Sequence, residues 1–131
     1  MNSGKDIVTG KMLVIDDDPA ILESIKRQLK NQKRLALDFE SNPLEGLRRL
    51  DAETYDLVLC DIKMTPIDGL EVLTRIKSGH PLIPVIMLSG FVDDQVIESA
   101  QAIGSSAFLI KPIRKADLIE SIVQVLATSG T

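Results

Sequence analysis

Tryptophan is absent from this 131-residue sequence, and the aromatic complement is one Tyr and three Phe. A core made from this chain must be aliphatic, and 44% hydrophobic residues supply the material. Cysteine occurs once, at Cys60, which excludes an internal disulfide and fits a reducing, cytoplasmic location. The single histidine, His80, has no ligand partner at metal spacing, so it reads as a surface residue beside Pro81. No apolar run is long enough to span a bilayer; residues 82–88, the most apolar stretch, contain Pro84. No membrane association and no secretory leader are expected. Acids outnumber bases, 19 to 15, for a net charge of −4, which argues against direct nucleic-acid binding. No G-x-G-x-x-G or other Gly-rich phosphate loop follows the first apolar run, which argues against a nucleotide-binding module.

What is present is an alternation. Residues 1–10 show no sustained period and read as a flexible leader. Lys11 to Ile15 is a short apolar run and predicts a buried strand. Asp18-Pro19 opens a helix, with Asp18 as cap and Ile21, Leu22, Ile25 and Leu29 at helical spacing. Leu35, Leu37 and Phe39 alternate with polar or small residues as a second strand. Asn42-Pro43 starts a second helix carrying Leu44, Leu47 and Leu50. Leu57-Val58-Leu59-Cys60, Val85-Ile86-Met87-Leu88 and Phe108-Leu109-Ile110 predict three more strands, with apolar residues at nearly every position, as suits strands covered on both faces. Helices are expected around Leu70–Ile76, Val96–Ile103 and 116–127, the last with Leu118, Ile119, Ile122, Val123 and Leu126 inward. Arg48-Arg49 and Lys26-Arg27 read as solvated helix faces. Strict alternation implies one α/β domain, residues 11–127, a parallel sheet with helices on both faces, and a tail at 128–131.

Parallel strands all point the same way, so their final residues meet at one edge. Asp16, Asp17 and Asp18 follow the first strand, Asp61 the third, Ser89-Gly90 the fourth and Lys111-Pro112 the fifth. In open α/β sheets, sites form at this carboxyl edge. Asp16 or Asp17, together with Asp61, offers the hard oxygen donors that Mg²⁺ takes. Lys111 adds a positive charge and Ser89 a hydroxyl, the helpers an aspartate nucleophile needs in phosphoryl transfer. Asp18 serves only as the helix cap. Cys60 reads as a small buried apolar residue.

These motifs resemble the receiver domain of two-component response regulators, the CheY-like family, over roughly residues 11–127. Val14-Ile15-Asp16-Asp17-Asp18-Pro19 is similar to the family's acidic cluster, Leu59-Cys60-Asp61 to its phosphoacceptor strand, and Leu88-Ser89-Gly90 to its switch-hydroxyl motif. Asp16 and Asp17 lie 45 and 44 residues before Asp61, and Gly69 lies eight after it, at the family spacing. The resemblance implies a (βα)5 flavodoxin-like sandwich with strand order 2-1-3-4-5. It implies that Asp61 accepts a phosphoryl group and that Mg²⁺ is held by Asp16, Asp17, Asp61 and the Lys63 backbone carbonyl. It further implies that Lys111 pairs with the phosphoryl group, that Ser89 and Phe108 act as switch residues, and that Lys111-Pro112 is cis. Implied partners are a sensor histidine kinase or phosphotransfer protein, a downstream output domain or protein, and a phosphorylation-dependent dimer. The protein would be a signalling switch catalysing only its own phosphorylation and dephosphorylation. The loop Met64-Thr65-Pro66-Ile67-Asp68-Gly69 departs from the family's frequent Met-Pro-x-Met-Asp-Gly by a displaced proline. Lys63, two residues past Asp61, removes the second Asp that a dehalogenase-like phosphatase requires. Lys63 and Phe91 are expected to flank the phosphoryl group, Phe91 as a shield.

Overall fold

A computed structural model describes residues 7–90 and 93–129 of the chain. Strands and helices alternate as β1 (Gly10–Ile15), α1 (Pro19–Gln28), β2 (Leu35–Glu40), α2 (Pro43–Ala52), β3 (Leu57–Asp61), α3 (Gly69–Gly79), β4 (Val85–Ser89), α4 (Asp94–Ile103), β5 (Ala107–Ile110) and α5 (Lys115–Ser129). All strand pairs are parallel, in the order β2-β1-β3-β4-β5. The chain moves outward from β1 to β2, then reverses across β1 to β3. That reversal opens a crevice between the carboxyl ends of β1 and β3.

The strands explain their own composition. Successive side chains point to opposite faces. Met12, Val14, Leu57, Leu59, Ile86 and Leu88 meet α1 and α5 through Ile25, Leu29, Leu118 and Ile122. Leu13, Ile15, Val58, Cys60, Val85 and Met87 meet α2, α3 and α4 through Leu50, Val72, Leu73, Ile76 and Ala100. The three central strands are thus covered on both sides, which demands apolar residues at every position.

The helices start where side chains replace missing backbone acceptors. Asp18 accepts from the Ala20 amide, Asn42 from Leu44, Asp68 from Glu71 and Asp93 from Gln95, each at 2.9 Å. Pro19 and Pro43 occupy the first turns of α1 and α2. Gly104, at φ 126°, ends α4.

Three expectations need correction. The leader does not run to residue 10. Val8 is buried in the α1/α5 core, and the Gln32 side-chain carbonyl accepts from the amides of Ile7 and Val8 at 2.8 and 3.1 Å. On α5, Val123 is exposed and Val125 is buried in its place. The buried stripe runs 118, 122, 125, and Val123 lies a further helical step away from it. Arg49 is not simply solvated: its guanidinium lies 3.4 Å from Asp38, 3.5 Å from Glu40 and 3.6 Å from Glu53. Phe91, expected beside the phosphoryl group, lies outside the described residues.

Candidate phosphoryl and metal site

Strand parity selects the cluster. Residues 12 and 14 of β1 face α1 and α5, and so Asp16 follows on that side. Residues 57 and 59 of β3 bring Asp61 to the same side, and 107 and 109 of β5 do so for Lys111. Backbone hydrogen bonds carry the sheet ladder past the strand ends: Asp16 N–H donates to Glu40 C=O (3.2 Å), Ile62 to Leu88 (3.0 Å) and Lys111 to Ser89 (2.7 Å). These bonds fix the positions from which the three side chains converge.

The Lys111 ammonium lies 3.0 Å from Asp16 Oδ2 and 3.0 Å from Asp61 Oδ1. Asp16 is fully buried, and its second oxygen accepts from the Asp18 amide at 2.9 Å. Asp61 is 5% exposed, and Asp17 is open to solvent. One carboxylate oxygen from each of Asp16, Asp17 and Asp61 lies within 4.8 Å of the others. This donor set is all hard oxygen, partly buried and open on the Asp17 side, and it suits a divalent cation of the Mg²⁺ type that keeps several waters.

The electrostatics match a site prepared for a cation. Burial pushes the Asp16 carboxyl above its ordinary range, against the opposing pull of the Asp18 amide and Lys111. Burial likewise raises Asp61, opposed by Lys111 and reinforced by the Asp17 charge. Burial alone would lower Lys111, but its hydrogen bonds to Asp16 and Asp61 carry it upward. Perturbed groups of opposite sign converging in one crevice make it a candidate functional site.

The loop after β3 is tied back to the strand that ends at Asp61. Gly69 N–H donates to Ile62 C=O at 2.6 Å. A Cβ at residue 69 would collide with the Asp61 carbonyl oxygen and lie 2.7 Å from Ile62 Cα, so only glycine fits. Thr65-Pro66 and Lys111-Pro112 are both cis, the second as the family resemblance implies.

Among the remaining expected site residues, Ser89 is 4% exposed at the end of β4, with parity opposite to the acids, and its carbonyl anchors Lys111. Phe108 is half-buried against the core beneath α2, α3 and α4. Lys63 is exposed. Cys60 is fully buried, burial pushes its thiol far up, and it donates to the Asp61 carbonyl; it acts as packing. His80 ends α3 and pairs with Asp51 at 2.8 Å. Sequence reasoning missed Gln28, whose amide on α1 donates to Ile113 C=O at 3.0 Å and so braces the segment after Lys111. A lone glutamine on a helix carries no signal for such a role.

Comparison with known proteins agrees with this geometry. The family model for the response regulator receiver domain matches residues 12–123. The chain is 35% identical over 121 residues to the transcriptional regulatory protein GlrR of Escherichia coli K12, covering 91% of this chain and 27% of that protein. It is 35% identical over 116 residues to the DNA-binding transcriptional regulator NtrC of the same organism, covering 88% and 24%. The chain therefore spans about a quarter of the length of these curated relatives. The crystal structure of a CheY-like response regulator receiver domain protein from Methanospirillum hungatei JF-1 superposes with a TM-score of 0.87 at 28% identity, covering 94% of this chain and 98% of that one. Fold, sequence pattern and converging side chains lead to one assignment: the chain belongs to the response regulator receiver domain family and is a receiver domain of two-component signalling.

Proposed function

We propose that Asp61 is the phosphoacceptor and that Asp16, Asp17, Lys111 and Ser89 serve it. The observation that carries this reading is the double ion pair of Lys111 with Asp16 and Asp61, beside Asp17. An Asp61 carboxylate oxygen attacks the phosphorus of a phosphohistidine on a sensor kinase or phosphotransfer protein. The P–O bond forms as the P–N bond breaks, and the imidazole nitrogen leaves and is protonated. Lys111 turns from the carboxylate to the new phosphoryl oxygens, where charge neutralisation matters most. Ser89 supplies a hydroxyl donor to the same group. Mg²⁺, held by Asp16, Asp17, Asp61 and the Lys63 carbonyl, would supply charge neutralisation at the transferring phosphoryl group. The protein's catalysis is confined to gaining and losing its own phosphoryl group.

Once Ser89 and Lys111 engage the phosphoryl group, β4 and β5 carry the change outward. Phe108, between them and α4, is the switch position. The output surface is α4, β5 and α5, where Ile110 and Val123 are exposed apolar side chains at 38% and 37%. It serves an output domain or protein, or a phosphorylation-dependent dimer. The receiver unit takes in residues 11–127 together with the segment packed onto it from Val8, and it acts in the cytoplasm. Among the described residues no helix is long and apolar enough to cross a membrane. The test is incubation with acetyl phosphate and Mg²⁺ followed by intact mass. One phosphoryl adduct is expected in the wild type and none in Asp61→Asn; an unmodified wild type overturns the assignment.

A further inference from the structure

The chain is acidic overall, yet between Glu23 and Asp38 it carries five bases and no acid: Lys26, Arg27, Lys30, Lys33 and Arg34. Removing those five from a net charge of −4 leaves −9 on the rest of the protein. All five are exposed. Several bases elsewhere are engaged: Lys11 with Glu53, Arg48 with Glu45, Arg75 with Glu71, and Lys111 at the site. Among the described residues, Lys26, Arg27, Lys30 and Lys33 have no carboxylate within ion-pair distance.

Helix polarity explains only part of the cluster. Lys26 and Arg27 lie in the last turn of α1, where cations favour the negative helix end. Lys30 directly follows the C-cap Leu29, whereas Lys33 and Arg34 lie further along the turn, where that effect has faded. The turn presenting them is fixed: Gln32 N–H donates to Leu29 C=O at 2.9 Å, Leu35 to Gln32 at 3.1 Å, and Gly10 to Arg34 at 3.2 Å. Buried Gln32 and Leu29 hold it from within. The result is a rigid cationic corner at the amino-terminal edge of the sheet, opposite the Asp61 site.

We propose that this corner, the end of α1 with the α1–β2 turn, is a docking surface for an acidic polypeptide segment of a partner protein. Charge complementarity sets the sign of the partner. The net-acidic remainder of the chain sets its size: a long rigid duplex would extend its phosphates past the corner over a net-negative protein, whereas a short peptide can stay within it.

The test is fluorescence anisotropy of labelled deca-glutamate titrated with the whole chain, at low and at physiological salt. A DNA duplex and anionic phosphatidylglycerol vesicles are run alongside. Salt-sensitive binding of the peptide is expected. It should fall at least about tenfold when Lys26, Arg27, Lys30 and Lys33 are all changed to Glu. It should also fall when all four become Gln, a variant that adds no repulsion and guards against a folding artefact. Changing the already paired Arg48 and Arg75 to Glu should leave it nearly unchanged. No peptide binding, equal binding by the Gln variant, or preferential binding of the duplex or the vesicles overturns the proposal.

Discussion

Replacing Lys111 by Met keeps a side chain of similar length but leaves Asp16 and Asp61 facing each other in a buried crevice without their shared cation. Each ion pair spans 3.0 Å. At an effective dielectric constant of about 20 that is roughly 5–6 kcal/mol of attraction per pair before desolvation. Desolvation offsets much of it, and breaking such a buried pair costs about 3–5 kcal/mol net. The variant has one escape, which is to protonate an acid. For a carboxyl of ordinary pKa this costs about 4 kcal/mol at pH 7 but only about 1.5 kcal/mol at pH 5. Both carboxyls already titrate above their ordinary range, and losing Lys111 raises them further. A raised acid stabilises the fold at low pH, and the contribution disappears as pH rises through the folded-state pKa. The stability gap between wild type and Lys111→Met should therefore be about 3–4 kcal/mol at pH 7, or roughly 10 °C in Tm, and about half that or less at pH 5. Excess Mg²⁺ should recover more stability in the variant than in the wild type. Urea unfolding at both pH values, with and without Mg²⁺, measures all of this. A gap that is unchanged by pH and by Mg²⁺, or one below about 1 kcal/mol, refutes the charge-balance reasoning.

Tyr55 is buried and its hydroxyl donates to Asp38 at 2.6 Å; burial first, then that carboxylate, pushes the phenol up to about 12. Its contribution is complete below about pH 10 and is lost as pH rises toward 12, so urea midpoints should fall across that window in the wild type and far less in Tyr55→Phe. Val8→Ala should cost about 1–2 kcal/mol in thermal unfolding, whereas Ile7→Ala, at a half-exposed position, should cost little; equal effects would deny the anchored role of this segment. Gly69→Ala places a methyl against the Asp61 and Ile62 backbone and should destabilise by more than about 2 kcal/mol while slowing acetyl-phosphate labelling; normal labelling and stability would show that the loop can give way.

The sheet was legible in the sequence because parallel strands covered on both faces leave unbroken apolar runs, and a polar residue ending each run marks its carboxyl end. Leu57-Val58-Leu59-Cys60-Asp61 states strand, direction and site in five letters. The helix starts were equally plain, since Asp18, Asn42 and Asp93 precede their helices with capping chemistry. The convergence of Asp16, Asp61 and Lys111 at one edge followed from the common direction of parallel strands. Their direct pairing did not: whether Lys111 meets Asp16, Asp17 or neither depends on side-chain torsions that spacing leaves free. On α5, apolar residues at 122, 123, 125 and 126 satisfy two overlapping stripes, and only packing into the core on the α1 and α5 side of the sheet selects Val125 over Val123. The Gln32 clamp on Ile7 and Val8 was hidden because the bond joins residues 25 and 24 apart with no motif between them.

The shared lysine also sets an arithmetic of charge. Three ionised carboxylates and one ammonium leave the resting crevice at minus two. A single divalent ion brings it to neutrality, whereas a monovalent ion leaves a residue of charge in a partly buried space. If Asp61 takes up a phosphoryl group as proposed, a doubly charged group in place of one carboxylate charge would tip the balance negative again, by one unit. The pull on the nearest donors, the Ser89 hydroxyl among them, would then arise from a deficit of a single positive charge.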